Sequence, residues 1–415
     1  MSDPLLTARR ALYTTAFLRA LATGAVGILL GVHLARSGLT AGAIGTVVSA
    51  GLAGAATAAV AATFFGDRIG RRRLLLGLSA LGVVGLALFL VAEGTVALAL
   101  AAFLGMLNGM GKDRGAALIL EQSALPATTT DQERTRVFAS YSVMQDVGHA
   151  LGAILATLPA WLARAPSVSL LDGSRVTLAA TGLLGLVAFL LYARAGGALD
   201  LGSSPRAVIS PQSRRLLTRI SALFAIDSLA GGFLTTALLS YFFFERFGAG
   251  EAAIGALFFG ARLLNAASHF GAAWLARRIG LVNTMVWTHI PSSLLLVTVA
   301  FAPDFRTAAL LFLLREGLVE MDVPTRQSYV LAVVAPAERT FASGLTNLVR
   351  LASWAVAPAF AGLLMRNGSY AWPLIIGAGM KISYDLLLWR AFRSIQPPEE
   401  RSAAASHPRT LDGKH

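Results

Sequence analysis

Acids and bases recur inside stretches of this sequence that are otherwise apolar. Arg19 lies in one such stretch, and Lys112, Asp113, Arg114 and Glu121 in another. Asp146 with His149, Asp227, and Arg262 occupy three more. Arg315, Glu316, Glu320, Asp322 and Arg326 share a sixth, and Arg350, then Lys381 with Asp385, fall in the last two. Ionisable groups are costly in apolar surroundings, so where they occur they bind a ligand, pair, or carry protons. At about 100° per residue on a helix, Arg315, Asp322 and Arg326 fall on one stripe. Asp322 and Arg326 are four apart and can pair. Glu316 and Glu320, also four apart, sit on an adjacent face. Two carboxylates so placed repel, which favours a proton on one of them and makes either a candidate proton carrier. Arg114 and Glu121 are seven apart on one face and read as an ion pair. Asp227 is alone in the interior of its stretch, and Gly231 and Gly232 after it let a neighbouring helix or ligand come close. Arg19 shares a face with Thr23 and His33. Asp146 and His149, three apart, can pair. His33, His269 and His289 are scattered and read as packing or interfacial residues; no metal site and no cofactor is expected.

The elements that must position these groups follow from composition. The chain has 415 residues, 55% hydrophobic and 14% charged, with no cysteine and a mean hydropathy of +0.66. A soluble domain carries roughly 25% charged residues. Without cysteine there are no disulfides and no thiolate zinc sites or nucleophiles. Apolar runs of about 20 residues cross a hydrocarbon core of about 30 Å. Twelve are read, at 11–34, 42–65, 73–92, 95–124, 138–162, 176–195, 217–244, 252–275, 282–302, 306–334, 341–365 and 371–391. Runs four, seven and ten are long and carry internal charges. The first run is too long for a secretory signal. The net charge of +13 sorts by side. Arg9, Arg10, Arg68, Arg71, Arg72, Arg73, Arg277, Arg278 and most other arginines lie at one end of the runs. Arg36, Arg164, Arg175, Arg246, Arg306 and Arg366 lie at the other. By the positive-inside rule both termini are cytoplasmic. The basic excess is a topology signal, with no nucleic-acid partner.

Residues 196–216, rich in Gly, Ser and Pro, break the hydropathy at mid-chain. The domains are therefore an N-terminal six-helix bundle at 1–195, a cytoplasmic central loop at 196–216, a C-terminal six-helix bundle at 217–393 and a disordered cytoplasmic tail at 394–415. Glu133-Arg134-Thr135 with Phe138-Ala139-Ser140 recurs as Glu338-Arg339-Thr340-Phe341-Ala342-Ser343, and Arg68-Ile69-Gly70 as Arg278-Ile279-Gly280. Two matches at nearly one offset indicate a parallel repeat of two halves.

The loop Phe65-Gly66-Asp67-Arg68-Ile69-Gly70-Arg71-Arg72-Arg73 resembles the signature loop of the major facilitator superfamily, roughly G-x-L-A-D-R-x-G-R-K. Thr63 stands where that pattern begins with glycine. The second copy is degenerate, with Arg277 at the aspartate position and Leu281 after the glycine. The resemblance implies an all-α integral membrane fold of twelve transmembrane helices in two six-helix bundles, monomeric, with helices one, four, seven and ten lining a central cavity. Those four carry most of the intramembrane charges. It also implies that Asp67, Gly70 and Arg71 act as a conformational latch.

The resulting expectation is a secondary active transporter, not an enzyme, in a bacterial inner (plasma) membrane. It would move a small polar or amphipathic solute by alternating access, with proton-coupled efflux. No G-x-x-x-x-G-K-[ST] loop occurs that would support ATP drive. The candidate substrate and proton cavity is Arg19, Lys112, Asp113, Asp227, Arg315, Glu316 and Glu320. The cations favour an anionic or zwitterionic substrate, while the acids leave a cationic one open. The candidate gating and ion-pair set is Asp67, Gly70, Arg71, Arg114, Glu121, Asp322 and Arg326. Pro324, inside the polar segment Met321–Tyr329, is expected to kink helix ten. The partners are the solute, protons or another coupling ion, and membrane lipids. Two other readings remain, a lipid or lysolipid translocator on the same fold and a non-transporting sensor or scaffold.

Overall fold

Inside hydrocarbon every backbone N–H and C=O must find a partner within the chain, which favours the α-helix. A computed structural model describes residues 3–130, 133–200, 210–321, 339–366 and 369–392, and among these there is no strand. The helices are α1 (Asp3–Arg36), α2 (Ala41–Ile69), α3 (Arg71–Val91), α4 (Thr95–Gly105), α5 (Ala116–Ala124), α6 (Arg134–Leu155), α7 (Leu158–Leu162) and α8 (Leu170–Ala195). They continue with α9 (Pro211–Phe233), α10 (Thr236–Phe247), α11 (Glu251–Ile279), α12 (Leu281–Ala300), α13 (Phe305–Val319), α14 (Arg339–Leu364) and α15 (Ala371–Phe392). Each of the twelve expected runs overlaps at least one of them. Seven stretches are long and apolar enough to cross a membrane by length and composition alone, including Leu5–Arg36, Arg71–Val91 and Leu170–Ala195.

Four runs depart from single continuous helices, and run five is α6 and α7 with a turn at Ala156 and Thr157 between them. Run four is α4 and α5 separated by an irregular segment, 106–115, in which Met106 and Gly111 have φ of 51° and 68°. Run seven breaks at Leu234 and Thr235 between α9 and α10. In run ten, α13 ends at Val319. Asp322, Arg326 and the expected kink at Pro324 lie outside the described residues, as do 201–209 of the central loop and the tail. α9 starts earlier than hydropathy placed run seven. Ser210 accepts a hydrogen bond from the Ser213 N–H (3.2 Å) and Pro211 occupies the first turn, a favourable helix start.

The repeat is visible in backbone geometry. Gly70 between α2 and α3, and Gly280 between α11 and α12, have φ of 97° and 85°. Each donates its N–H four residues back, to Gly66 (3.1 Å) and Ala276 (2.9 Å). Each carbonyl accepts from four residues on, Leu74 and Thr284, both at 3.1 Å. Only glycine holds such φ values without strain, so the Ile-Gly step shared by the two loops has one physical cause.

Call the end of the bundle that carries the N-terminus and both glycine turns the terminal end, and the opposite one the distal end. The two halves meet at the distal end through small residues. A Cβ on Gly45 of α2 would lie 2.3 Å from the Pro358 carbonyl oxygen and 2.9 Å from Gly362 Cα of α14. One on Gly31 of α1 would lie 2.0 Å from the Ala237 carbonyl oxygen of α10. Ser49 Oγ accepts from the Ala359 N–H at 2.9 Å. Arg36 at the end of α1 forms a bidentate pair with the buried Glu251 that starts α11 (2.6 and 3.0 Å).

Overpacking a close-packed contact costs about 1–3 kcal/mol. Gly45→Leu should therefore move the equilibrium toward a separated distal end by about tenfold. The chain lacks cysteine, so a single Ser49→Cys probe has no background. Its labelling by an impermeant maleimide should accelerate about tenfold when Gly45→Leu is added, and an unchanged rate would mean that the helices are not joined there.

Candidate functional site

The break in run four organises the centre of the molecule. Asn108 folds it locally, accepting from the Met110 N–H (2.9 Å) and donating to the Lys112 carbonyl (2.8 Å). The Gly109 carbonyl accepts from the Ala237 N–H in the first turn of α10 (3.0 Å). The Met110 carbonyl accepts from the Thr236 hydroxyl (2.8 Å) and that of Gly111 from Arg262 (2.9 Å). The close approach of α1 needs glycine on both sides, since a Cβ on Gly27 would lie 2.4 Å from Gly111 Cα.

In the N-terminal half, Arg19 lies at the middle of a buried network. It grips Glu121 with two hydrogen bonds (2.5 and 2.8 Å) and bonds Asp113 through Nε (3.1 Å). Glu121 is fully buried. It also accepts from Thr15 (2.5 Å), Tyr141 (2.5 Å) and Tyr192. The expected Arg114–Glu121 pair is therefore corrected. A seven-residue spacing places two residues on one face only along a continuous helix, and the chain is irregular through Gly115. Arg114 instead faces the other half, with its guanidinium 5.8 Å from the Trp354 ring. The pairing open to Asp146 and His149 is not among the described contacts, and His149 Nε2 instead accepts from the Asp113 backbone N–H (2.8 Å).

Between the halves lies a cavity of about 120 Å³, lined by groups that include Lys112, Arg114, Arg262, Arg315, Arg350, Lys381, Asp227, Glu316, Glu320, His289 and Trp354. Among the described residues it presents six Lys or Arg side chains and three carboxylates. Glu320 pairs with Lys112 across the halves. Glu316 pairs with Arg315 and accepts from Asn265 (2.9 Å). The mutual repulsion expected of Glu316 and Glu320 is thus offset, since each carboxylate has its own cation. Asp227 accepts from Lys381 at 2.9 Å. Lys381 Nζ also lies 3.3 Å from His289 Nε2, and His289 Nδ1 lies 3.0 Å from Asp385.

Of the residues expected in the cavity, Lys112, Asp227, Arg315, Glu316 and Glu320 line it. Arg19 and Asp113 instead border a second, mostly apolar cavity of about 200 Å³ within the N-terminal half. Arg114, expected at a gate, lines the central one. Arg71 is buried and donates to the Ser123 carbonyl at the end of α5 (3.0 Å). Arg72 donates to the Ala193 carbonyl near the end of α8 (2.8 Å), and its N–H to Asp200 (3.0 Å). These contacts tie the Gly70 turn to its own half, with cations at helix C-termini. The Asp67 side chain lies outside the described residues. Sequence reasoning missed His289, Arg350, Trp354 and the partnering of Lys381. The four-residue spacing of Lys381 and Asp385 was the available signal.

The Major Facilitator Superfamily profile matches residues 12–319. An uncharacterized membrane protein of Saccharomyces cerevisiae is 26% identical, over 91% of this chain and 92% of its own. Among solved structures, the nucleoside transporter NupG superposes with a TM-score of 0.71 at 13% identity, covering 94% of this chain and 100% of that one. A bacterial homologue of the human lysosomal transporter Spinster, in an inward-facing and unoccupied conformation, gives 0.70 at 14% identity, covering 94% and 96%.

Breaking a buried pair by removing one partner costs about 3–5 kcal/mol, and replacing both with apolar groups costs less. Arg19→Met, which leaves both Glu121 and Asp113 without their cation, should therefore lower the melting temperature of the purified protein more than the double variant Arg19→Met with Glu121→Met. The reverse order would show that the pair is not buried as described.

Proposed function

The chain belongs to the Major Facilitator Superfamily, and from that premise we propose that it is a secondary active transporter moving a small anionic solute by alternating access, driven by protons. The observation that carries this reading is the cavity between the halves, where six Lys or Arg side chains meet three carboxylates. Cations held in a low-dielectric cleft attract and bind anions. Arg262 and Arg315 come from adjacent helices and Arg350 from a third, a spread that suits carboxylate or phosphate oxygens. Trp354 supplies an apolar wall, with Arg350 5.0 Å from its ring. Ion pairs such as Lys112–Glu320 and Lys381–Asp227 can exchange one partner for a bound anion.

The distal end is closed by the Arg36–Glu251 pair and by the glycine contacts of α2 with α14. The cavity therefore belongs to a state that loads from the terminal end. On the arginine bias, that end faces the cytoplasm, across the inner membrane in a bacterial cell. A site that fills from the cytoplasm suits efflux. Proton drive is supported by the buried carboxylates of the cavity, which need no nucleotide.

Two measurements test the proposal. Ligands that bind only the folded state raise its melting temperature. A panel of small carboxylates, phosphate monoesters, neutral sugars and amines should stabilise the purified protein only through its anions. A charge-assisted hydrogen bond contributes about 1.5–3 kcal/mol, so Arg315→Gln should weaken the best anion by about tenfold or more. In vesicles enclosing a pH-sensitive dye, that anion should change lumenal pH. Stabilisation by amines or sugars alone would overturn the anionic reading, and anion movement with no pH change would overturn proton drive.

A further inference from the structure

Most buried carboxylates described around the centre have a cation, but the cations differ in kind. Glu121 and Asp113 are held by Arg19, and Glu316 by Arg315. A guanidinium does not deprotonate in proteins, so a carboxylate fastened to one stays ionised. Glu320 pairs with Lys112, and both side chains are partly exposed in the cavity, 17% and 25%. The C-terminal half contains a different arrangement. Asp227, Lys381, His289 and Asp385 are all buried and in series, with separations of 2.9, 3.3 and 3.0 Å.

The direction of the hydrogen bonds follows from chemistry. An ammonium can only donate, so His289 Nε2, facing Lys381, must accept. The ring proton then sits on Nδ1, which donates to Asp385 Oδ1. Asp385 is fully buried and its other oxygen, Oδ2, has no hydrogen-bond partner among the described residues. A bare ionised oxygen away from water is costly, and a proton on the His289–Asp385 pair removes that cost. Asp227, His289 and Lys381 line the central cavity. Asp385 lies four residues along α15 toward the terminal end, about 6 Å at 1.5 Å per residue. The series therefore runs from the cavity toward one face of the protein.

We propose that Asp227, Lys381, His289 and Asp385 form a proton relay, with the His289–Asp385 pair as the site that holds the proton and Lys381 as its link to the central cavity. In the transfer step Lys381 gives a proton to Nε2 as Nδ1 gives its own to Asp385 Oδ1. The Nζ–H and Nδ1–H bonds break and the Nε2–H and Oδ1–H bonds form. The products are a neutral amine, the other imidazole tautomer and a neutral carboxylic acid, with the total charge unchanged. A proton taken from the cavity then restores the Lys381 ammonium. The charged groups outside the relay that line the same cavity are Arg350 from α14, Arg315 with Glu316 from α13, Glu320 just after it, Arg262 from α11, and Lys112 and Arg114 from the break in run four, and the Tyr384 ring of α15 packs edge-on against His289. An anion bound in the cavity would compete with Asp227 for Lys381, which couples occupancy to the relay. That coupling rests on the proton-driven reading above, whereas proton binding at the pair does not.

The test is infrared difference titration of the full chain in liposomes between about pH 5 and 9, where exposed carboxylates remain ionised. A protonated-carboxyl C=O band should grow as pH falls. Asp385→Asn should remove it. His289→Gln should move its midpoint by about one pH unit or more, and Glu316→Gln should retain the band. Asp385→Glu, which keeps the carboxyl, serves if Asp385→Asn does not fold, and should retain the band at a shifted frequency. Persistence of an unshifted band in Asp385→Asn or Asp385→Glu, or its loss in Glu316→Gln, would overturn the assignment. A wild-type band that behaves as expected, in vesicles showing no anion-dependent pH change, would support the relay while refuting proton-driven transport.

Discussion

The centre of this protein depends on one constraint. A backbone carbonyl that leaves a helix inside hydrocarbon must be given another partner. Four successive carbonyls are freed where run four unwinds, and each is satisfied. Gly109 is served by the Ala237 N–H, Met110 by Thr236, Gly111 by Arg262 and Lys112 by Asn108. Three of those donors belong to the other half of the chain. The break is thus stable only while the halves are together at mid-depth, and it places Lys112 and Arg114 toward the cavity and Asp113 toward Arg19. The break in run seven is its counterpart, because it exposes the first-turn N–H of α10 that Gly109 needs.

The two buried charge systems perform different physical tasks. Around Arg19 the donors and acceptors are matched, with Glu121 held by Arg19, Thr15, Tyr141 and Tyr192. A network so satisfied is rigid and fixes the packing of α1, α5, α6 and α8. Around Lys381 the partners are an amine and an imidazole, groups that can change protonation, and one carboxylate oxygen of Asp385 has no hydrogen-bond partner among the described residues. The repeat thus supplies similar frames, visible in the identical turns at Gly70 and Gly280, while the side chains make one half an anchor and the other responsive.

Much of this was readable from residue type and order. The twelve runs, the equivalent glycine turns and the concentration of charge on runs one, four, seven and ten all follow from hydropathy and spacing. What escaped was whatever depended on a helix being interrupted. The Arg114–Glu121 pair assumed an unbroken 3.6-residue period across Gly115. The clue lay in Gly105, Gly109, Gly111 and Gly115 within a run longer than a span requires. The isolation of Asp227 was real along its own run, yet its partner came from α15. His289 looked like packing because its two neighbours, Lys381 and Asp385, lie about 90 residues further along the chain. One-dimensional spacing reports partners on one helix and is silent about partners across helices.

Alternating access requires two states separated by only a few kcal/mol. The distal interface has the makings of such a balance. Its closest contacts are Gly45 with Gly362 and Gly31 with Ala237, where backbones touch with no large side chain between them. Parting them forfeits dispersion contacts but exposes little apolar surface, so the cost per contact is small. Arg36 and Glu251 behave differently. Their pairing offsets the desolvation that closure imposes, and opening returns that hydration to both. Interlocked leucines or phenylalanines at these positions would add a cost to opening that hydration could not return. The small residues on α1, α2 and α14 therefore set how easily the halves separate, and the Arg36–Glu251 pair sets how firmly the distal end closes.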